Sequence, residues 1–508
     1  MPRTYVERRA PFTPPALGTL SAGAAIVDVT PALGLPMAGY STEGRIASGV
    51  VGRLFARALF LEDADGERVA LVTLDLMSAS RYLLEAVASR TASFGIGTDR
   101  LVLAGTHTHT GPGWFYGNSL YDDFACAEAG FDEGFASWVA ARIAGAVERA
   151  GRSARPARVG VGMRPCWGVS RNRSLAAFQA NPSAPSWNDA PFPGADAPAG
   201  LSPDQRAVDP RVRVLAAFDR ATGAPTIGGS EESRTILYRS GLVREGMRGN
   251  DFAPGDPQYP KVKALGPAMD VLRAVLGLTA SPVFPLHVVR IGSLLIATVP
   301  GEPTGHAAYA IEQALESATG ATSAWVVGYA GDYSGYLTTP EEYDAQHYEG
   351  ASTIFGRPTV PHLTARLVAL ATGTPAGPPA VGPIGFHVGR RRARFVAADC
   401  CGPSDPATTA SRAGDRISVR WTMAPNSNVL FASGFIVRVE RRDALGSWVP
   451  LEHMGREFDD VHHAIGIHRI DPTTWSAEFT LPETLGISDP LRVRGAPRDQ
   501  FPGFVVVL

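Results

Sequence analysis

Cysteine is scarce in this sequence. Only four occur among the 508 residues, too few and too scattered for a disulfide framework or a CxxC metal site. Two of them, Cys400 and Cys401, are adjacent and could form a strained vicinal disulfide, although two free thiols near a loop is the preferred interpretation. Cysteine usage therefore leaves the cellular compartment open.

Long apolar runs and an excess of charge of one sign are also missing. No window of about 18 apolar residues occurs, which predicts no transmembrane segment. The formal net charge is only -2, so neither nucleic acid nor an anionic membrane surface is predicted as a partner. The opening stretch MPRTYVERRAPFTPPALG is charged and proline-rich, and it lacks the apolar core of a signal peptide.

Strand-like and helix-like segments alternate in the N-terminal part of the chain. The apolar runs at 53–63 and 68–76, separated by the turn residues ADG, predict a β-hairpin. Apolar residues at helical spacing follow at 82–92 and 132–150, and RLVLAGTH (100–107) between them predicts a buried strand. This alternation indicates an α/β domain with a mixed sheet.

Further strands and a helix are predicted along the chain. ARVGVGM and CWGVSRNRS predict two strands between 151 and 181, and RVRVLAAFD (211–219) predicts another. HVVRIGSLLIATVPGE (287–302) predicts a hairpin, the helix that follows at 306–320 ends at a glycine, and SAWVVGYAG is a buried strand.

The proline- and glycine-rich stretch at 376–385 is the clearest linker. It divides the chain into a predicted α/β catalytic-type domain at 18–375 and a C-terminal domain at 386–508. In the latter, DRISVRWTM, GFIVRVERRD and SAEFTLP are short alternating strands. Such strands between turns predict a small all-β sandwich.

The stretch AGTHTHTGPGWF (104–115) draws most attention. His107 and His109 follow the C-terminal end of a predicted strand, where ligand sites collect in open α/β sheets. Residues two apart share one strand face, and Gly111-Pro112-Gly113 allows a sharp turn close to a ligand. The pattern fits either a metal or catalytic pair or two hydrogen-bonded histidines beside a loop.

Three other segments carry suitable groups. Arg171 and Arg173 in SRNRS could hold an oxyanion or substrate hydroxyl, or be a solvated pair. Glu302 follows a strand and a Pro-Gly turn and could ligate a metal or cap the next helix. A segment at 329–353 is crowded with tyrosines that could line a core rim or supply phenol ligands and proton donors. These are Tyr329, Tyr333, Tyr336, Tyr343 and Tyr348.

Together these segments resemble the neutral/alkaline non-lysosomal ceramidase family. The matching pieces are GTHTHTGPG, NRSLAAFQANP, VVRIGSLLIATVPGE and YSGYLTTPEEYDAQHYEGASTIFGRPT, in the order of the family. The early AGAAIVDVTPALGLPMAGY is also similar to the start of that family. The C-terminal DRISVRWTM and ASGFIVRVER resemble its C-terminal domain, which implies an immunoglobulin-like fold for 386–508. The resemblance therefore covers nearly the whole chain.

The resemblance implies a zinc amidase that hydrolyses the amide bond of ceramide, or of a related lipid amide, to a fatty acid and a sphingoid base. Matched motif by motif, it implies that His107, Glu302 and Tyr336 ligate Zn²⁺. Zinc accepts such nitrogen and oxygen ligands and lowers the pKa of a bound water to about 7.

The same resemblance assigns roles beside the metal. It implies that His109 and Tyr348 stand near the scissile carbonyl and stabilise the oxyanion. It implies that Arg173 binds substrate or orients the site, and that Gly39 in the MAGY loop offers its backbone to the substrate. Hydrogen bonds aimed where charge develops are the physical basis of such oxyanion stabilisation.

One part of the family pattern is missing. The family has a second histidine ligand in a segment resembling FxVHxTS, after the strand that here lies within 209–225. This chain passes directly to TIGGSEESRT (226–235), which resembles a later stretch of the family, so an internal deletion is predicted. The candidate substitutes are His287, His306 and His347, of which His306 could share a helix face with Glu302 or be an exposed first-turn histidine.

Three alternative functions are compatible with these sequence features. The first is a zinc-dependent amidohydrolase of the ceramidase type. The second is a non-catalytic relative that binds a lipid or an extracellular partner, and the third is another metal-dependent amide or ester hydrolase completed by His306 or His347. The family suggests secretion but no signal peptide is seen, so localisation and oligomeric state stay open.

Overall fold

The computed structural model describes most of both predicted domains. The described residues are 5–6, 20–184, 197–218, 248–249, 252–261, 283–374, 390–395, 408–425, 427–482, 490–495 and 504–508. The predicted linker, the vicinal cysteines and the TIGGSEESRT segment lie outside them. Within them the chain is a mixture of helices and strands, which confirms the mixed α/β prediction for the N-terminal part.

A five-stranded mixed sheet, the first sheet, lies in the N-terminal part. In order across the sheet, the strands are Leu101–Gly105, Arg68–Leu74, Phe55–Glu62, Ser21–Asp28 and Arg155–Pro156. The first neighbouring pair in this order is parallel, and the other neighbouring pairs are antiparallel. The pairing of Glu62 with Arg68 confirms the predicted hairpin.

Two helices close the core of this sheet. Arg81–Thr91 begins where the Ser80 side chain accepts a hydrogen bond from the Leu83 amide, and Glu133–Arg152 begins where Asp132 accepts from the Phe135 amide. Their buried apolar residues join those of the sheet in one cluster. Each fully buried aliphatic side chain there contributes about 1.5–3 kcal/mol.

A three-stranded sheet, the second sheet, follows later in the chain. Its order is Val288–Ile291, Leu294–Thr298 and Ser323–Val327, so the predicted hairpin is confirmed. The helices Gly305–Thr319 and Thr359–Ala371 pack against it. None of the helices in the described ranges combines the length and hydropathy needed to cross a membrane.

A long two-stranded pairing and several short elements complete the N-terminal part. ARVGVGM and CWGVSRNRS were expected to give two strands, but one continuous strand, Arg158–Trp167, covers most of the first segment and ends two residues into the second. It is continuous because residues 158–165 pair without a break with Arg211–Phe218. Tyr5–Val6 pairs with its far end.

Short helices and turns connect these elements. The short helices are Ser119–Phe124, Leu175–Gln179, Pro203–Arg206, Pro340–Ala345 and Tyr348–Ala351, with 3₁₀ turns at Ser41–Glu43 and Ala92–Phe94 and, in the C-terminal part, at Phe431–Ser433. Two parallel pairs join Glu302–Pro303 to Tyr336–Leu337 and Phe131–Asp132 to Arg391–Arg392.

The C-terminal residues form two sheets around one apolar cluster, to which Trp421 and Trp475 contribute from one sheet and Val439 and Val493 from the other. The three predicted strands are confirmed, whereas the immunoglobulin-like assignment and the domain limits stay predictions. One sheet has the order Thr408–Ala413, Arg416–Thr422, Thr474–Thr480, Gly466–Arg469, Gly49–Val50. The other has the order Trp448–Pro450, Val437–Arg442, Leu491–Gly495, Phe504–Val507, and Glu452–His453 pairs with Arg456–Glu457.

The first of these C-terminal sheets takes its edge strand from the N-terminal part, and a buried arginine follows that strand. Arg53 Nη1 lies 3.0 Å from Asp28 Oδ2 and its Nε donates to Asp460 Oδ2 at 3.1 Å. Asp460 also accepts from the backbone amides of Ile436 and Val437. Arg53 thereby joins a carboxylate of each part of the chain.

Arg53→Met is expected to lower the free energy of unfolding by about 3–5 kcal/mol, because Asp460 would keep a buried charge without its cation. Arg57→Met is the matched control, since Arg57 pairs with Asp75 at 2.8 Å with a half-exposed side chain and should cost about 0–1 kcal/mol. Urea denaturation measures both. Equal losses in the free energy of unfolding would show that the buried Arg53 network contributes no more stability than an exposed ion pair.

Candidate functional site

The site forms where the ends of strands from the two N-terminal sheets meet. The backbone carbonyl of Tyr329 accepts from the amides of Ala79 at 3.0 Å and Gly105 at 3.2 Å, and the Gly331 amide donates to Leu103 at 2.9 Å. The chain after Leu101–Gly105 therefore runs beside the chain after Ser323–Val327. His107 follows the first strand, and its ring stacks on that of Tyr329 with centroids 4.2 Å apart.

His107 is held in an unusual backbone conformation, with φ of 62°. Such a value is uncommon for a residue other than glycine and is typical of functional sites. Its Nδ1 lies 2.8 Å from the Met77 carbonyl oxygen. Because that oxygen can only accept, Nδ1 carries a proton, and in the neutral ring Nε2 then presents a lone pair.

That lone pair faces a carboxylate. His107 Nε2 lies 3.3 Å from Glu302 Oε1. The two atoms are close enough to share a proton or a cation, and each also has another possible donor, His109 Nε2 for the nitrogen and the Tyr333 hydroxyl for the oxygen. Burial alone would raise the pKa of Glu302, but the hydrogen bond and charge of His107 and the Tyr333 hydroxyl outweigh it, so the pKa is lowered. Glu302 is therefore a buried carboxylate.

The neighbouring helix does not use Glu302 as its cap. Thr304 is the N-cap residue, and its hydroxyl accepts from the Ala307 amide at 3.2 Å. The Glu302 amide instead donates to the Gly335 carbonyl at 2.9 Å within the short parallel pair that brings Tyr336 opposite Glu302. The helix-cap interpretation of Glu302 is wrong because Thr304 supplies that hydrogen bond.

His109 lies beside His107, with Nε2 atoms 3.1 Å apart. Gly39 has φ of 102°, and a Cβ atom there would come within 2.4 Å of the His109 ring, so only glycine lets the ring stand here. The close approach of Gly111-Pro112-Gly113 to a ligand stays a prediction. The positive φ values fall at His107 and Trp114, and Gly113 is needed because a side chain would strike Cys126 Sγ.

Arg173 comes to the site across the opening of a cleft. Its Nη2 donates to the Tyr336 hydroxyl at 3.0 Å, and its guanidinium lies over the Tyr348 ring, 4.8 Å from the centroid. Nε donates to Glu349 at 3.2 Å, and Glu349 also accepts from Ser174 at 2.6 Å. The solvated-pair interpretation holds only for Arg171, whose side chain is exposed and lies 3.5 Å from Asp204.

Two cavities border these residues. A polar cleft of about 660 Å³ is lined by Arg173, Glu302, Tyr336, Glu342 and Glu349, among others. An apolar hollow of about 270 Å³ is lined by residues that include Gly39, Met77, His109, Leu120, Phe124, Tyr348 and Ile354, together with Glu302 and Tyr336. Six of the seven residues to which the family resemblance gave a role line one or both cavities, and the seventh, His107, contacts Glu302.

Other sequence candidates lie away from the site. Tyr343 is fully buried, and its hydroxyl donates to the Gln258 carbonyl at 2.9 Å, which makes it a core residue. His306 is buried rather than exposed, with Nε2 2.6 Å from the Ser183 hydroxyl, because the first turn of its helix packs on Phe178. His287 Nε2 lies 2.7 Å from the Thr98 carbonyl. His347 occupies the N-cap position of Tyr348–Ala351.

The assignment of a metal to His107, Glu302 and Tyr336 stays a prediction, and the chemistry of these residues can be compared with what a metal requires. His107 fits a metal ligand because its other nitrogen is bonded to a backbone carbonyl, as is usual around metals, and Glu302 supplies an ionised oxygen. Tyr336 lies next to Glu302, but its hydroxyl accepts from Arg173. Within the described ranges, no three or more His, Cys, Asp or Glu side chains are grouped so that they could hold a metal ion.

Two residues of the site were not selected from the sequence. Tyr333 donates to Glu302, and burial together with the charge of Glu302 raises its pKa well above the usual value. Glu349 holds Arg173. Tyr333 was one of five crowded tyrosines, and no local pattern separated it from Tyr343; Glu349 follows Tyr348 directly, which is the only sequence signal for it.

Comparisons with known proteins agree with this architecture. A solved structure described as a ceramidase complexed with C2 covers 97% of this chain with a TM-score of 0.68 at 18% identity. The neutral ceramidase structure from Pseudomonas aeruginosa covers 97% with a TM-score of 0.69 at 19% identity, each match using 98% of the solved chain. At such identities the likeness shows a shared fold.

Sequence comparison identifies the family. The family described as neutral/alkaline non-lysosomal ceramidase, N-terminal, matches residues 20–188 and 268–365, more than half of the chain. The neutral ceramidase of Mycobacterium tuberculosis is 26% identical over 589 aligned residues, with 86% of this chain and 90% of that protein covered. The Pseudomonas aeruginosa neutral ceramidase is 25% identical, with 63% and 67% covered. The chain belongs to the neutral/alkaline non-lysosomal ceramidase family.

The buried His306 predicts a pH-dependent stability. Burial, opposed by the charge of Glu341, lowers its pKa to about 4, whereas a histidine in the unfolded chain titrates near 6.5. The unfolded state therefore binds the proton first. This contribution to stability is complete above about pH 6.5 and is lost progressively as the pH falls towards about 4.

His306→Gln removes this titration, so its melting temperature is expected to fall less than that of the wild type between pH 7 and pH 5. Thermal unfolding followed by circular dichroism measures the difference. His362→Gln, at an exposed position on Thr359–Ala371, should follow the wild type. A His306→Gln curve parallel to the wild type would contradict the assignment.

Proposed function

We propose that this chain is a zinc-dependent amidohydrolase that hydrolyses the amide bond of ceramide, or of a related lipid amide, to a fatty acid and a sphingoid base. The observation that carries the proposal is the pairing of His107 Nε2 with Glu302 Oε1 at 3.3 Å. An imidazole nitrogen and a carboxylate oxygen are atoms of the kinds that zinc accepts, and Glu302 borders both cavities in a member of the ceramidase family.

Three residues would hold the metal. They are His107, Glu302 and Tyr336, and the zinc bound by them would supply an activated water and polarise the carbonyl. In the reaction, water adds to the amide carbon, the carbon–nitrogen bond breaks, and the leaving amine takes up a proton. The Tyr333 hydroxyl orients Glu302, and the Met77 carbonyl fixes the tautomer of His107.

The protein groups around this position suit the carbonyl oxygen. His109 and Tyr348 line the hollow beside Glu302 and would donate hydrogen bonds to the developing oxyanion. The Arg173 guanidinium donates to the Tyr336 hydroxyl and lies over the Tyr348 ring, so it would bind substrate or orient both phenols. Gly39 also lines the hollow and would offer its backbone carbonyl to the substrate, since its amide donates to the Ala125 carbonyl at 2.8 Å.

A non-catalytic role in binding a lipid or a partner is the second candidate. It is favoured by the lack, in the described ranges, of a group of three His, Cys, Asp or Glu ligands. The sequence has no histidine between His109 and His287. The alignment with the Mycobacterium relative also extends over 589 residues, more than the 508 of this chain, so that relative has residues without a counterpart here, which supports an internal deletion.

Hydrolysis of a short-chain fluorescent ceramide by zinc-loaded protein tests the proposal. Chelator is expected to abolish turnover, and His107→Ala to lower it by about a hundredfold or more with loss of bound zinc. His362→Ala, at an exposed helical position, is the matched control and should keep both. Protein that retains no zinc and gives no turnover would favour the non-catalytic function.

Glu349→Gln is expected to lower kcat/KM by about tenfold, because an uncharged amide no longer fixes Arg173 through an ion pair. The control is Asp344→Asn, which removes the charge from an exposed pair with Arg357 at 2.8 Å. In an Arg173→Ala background, Glu349→Gln should have little further effect. Additive losses would show that Glu349 acts other than through Arg173.

A further inference from the structure

A short segment from beyond the predicted linker crosses the N-terminal part of the chain. This segment, residues 390–395, is called the strap. Its strand Arg391–Arg392 pairs in parallel with Phe131–Asp132. The strap lies beyond residue 365, where the family match ends, and none of the residues to which the resemblance gave a role belongs to it. A role for the strap must therefore come from its own contacts.

The Asp132 carboxylate anchors the strap to the core. Its Oδ2 accepts from the amides of Arg394 at 2.7 Å and Phe395 at 2.9 Å, while Oδ1 accepts from the Phe135 amide at 3.0 Å. The same side chain thus caps the helix Glu133–Arg152 and holds the strap. Because these hydrogen bonds use the backbone of the strap, a change of its side chains leaves them in place.

The strap covers one buried aromatic ring. The guanidinium groups of Arg392 and Arg394 lie over the ring of Trp114, 5.5 and 5.1 Å from its centroid. Trp114 is fully buried and has a positive φ of 64°, a conformation that persists only where the surroundings impose it. A cation over an indole ring is attracted to it, so the two arginines help to hold Trp114 in this conformation.

Trp114 ends the loop that carries His109. Residues 109–114 are joined to residues 36–39 by two backbone hydrogen bonds, of 2.8 and 3.0 Å. In the second of these loops, Gly39 leaves the space in which the His109 ring stands. A displacement of Trp114 would therefore move the two loops together and shift the His109 ring.

We propose that Arg392 and Arg394 are positioning residues that, through Trp114, hold the His109 ring where the oxyanion would form. The effect on rate rests on the proposed amidohydrolase function, whereas the positioning itself needs neither metal nor substrate. Weakening an interaction made only in the transition state lowers kcat and leaves KM nearly unchanged. Removing both guanidinium groups should therefore loosen the two loops and lower kcat while the protein stays folded.

Hydrogen exchange of the zinc-free full-length protein, followed by mass spectrometry, tests the positioning. In Arg392→Gln/Arg394→Gln, amides within 36–39 and 109–114 should exchange about tenfold faster, because local opening becomes easier. Amides of the helix Gly305–Thr319, which packs on the second sheet, should exchange as in the wild type. Equally accelerated exchange in that helix would show general destabilisation and overturn the proposal.

Hydrolysis of the fluorescent ceramide by zinc-loaded protein tests the effect on rate. The double variant should lose about tenfold in kcat with KM within about twofold of the wild type, since His109 is displaced rather than removed. Arg394→Lys keeps a cation over the ring and should retain most of the kcat that Arg394→Gln loses.

Arg391→Gln is the matched control on the same strap. Its side chain is exposed and pairs with Glu133 at 3.0 Å, so both its exchange and its kinetics should match the wild type. Unchanged exchange in the two loops of the double variant, an unchanged kcat beside an active wild type, or equal losses in Arg391→Gln would overturn the positioning role. Faster exchange in the two loops, beside a wild type that hydrolyses no ceramide, would support the positioning of His109 and overturn the amidohydrolase function alone.

Discussion

The carbonyl oxygen of Tyr329 is the point on which the candidate site depends. It accepts hydrogen bonds from Ala79 and Gly105, which belong to the end of the first sheet, while Tyr329 itself continues the second sheet. Neither sheet carries the site alone, since His107 follows a strand of one and Glu302 follows a strand of the other. The junction is made by backbone groups packed closely together, and a Cβ atom at Gly105 would lie 2.5 Å from Ser78 Cα, so the junction requires glycine there.

The junction holds the backbone in a conformation that isolated residues avoid. His107 and Tyr329 both have positive φ values, 62° and 55°, although neither is glycine. Such conformations cost on the order of 1–3 kcal/mol each and persist only where the surroundings impose them. Here the His107 amide donates to Leu76 at 3.1 Å and the Tyr329 amide donates to Gly301 at 2.9 Å. The fold therefore fixes the histidine before any ligand arrives.

Periodicity in the sequence was enough for the hairpin, the long helices and the strand ends, since these depend on neighbours within a few residues. The position of His107 at a strand end followed from the same reasoning. The contact of Arg173 with Tyr336 joins residues far apart in the chain, and only the resemblance to a family suggested it. Two local interpretations near the site were wrong. Thr304, not Glu302, accepts the hydrogen bond that caps the helix. His306 is buried against Phe178, which its position in the first turn of a helix does not reveal.

The facing atoms of His107 and Glu302 can share the proton of a charged imidazole or a cation, or they can accept separately from His109 Nε2 and the Tyr333 hydroxyl. A protonated ring would make an ordinary ion pair, which suits a purely structural role. A buried ion pair is weak evidence for a structural role, because the cost of removing both charges from water can exceed their attraction. Glu302 also lines both a polar cleft and a hollow, so a ligand can approach it from two sides. A carboxylate that stays ionised at the junction of two cavities, beside a histidine, His107, whose tautomer is fixed by the Met77 carbonyl, suits a reaction centre better than a purely structural ion pair.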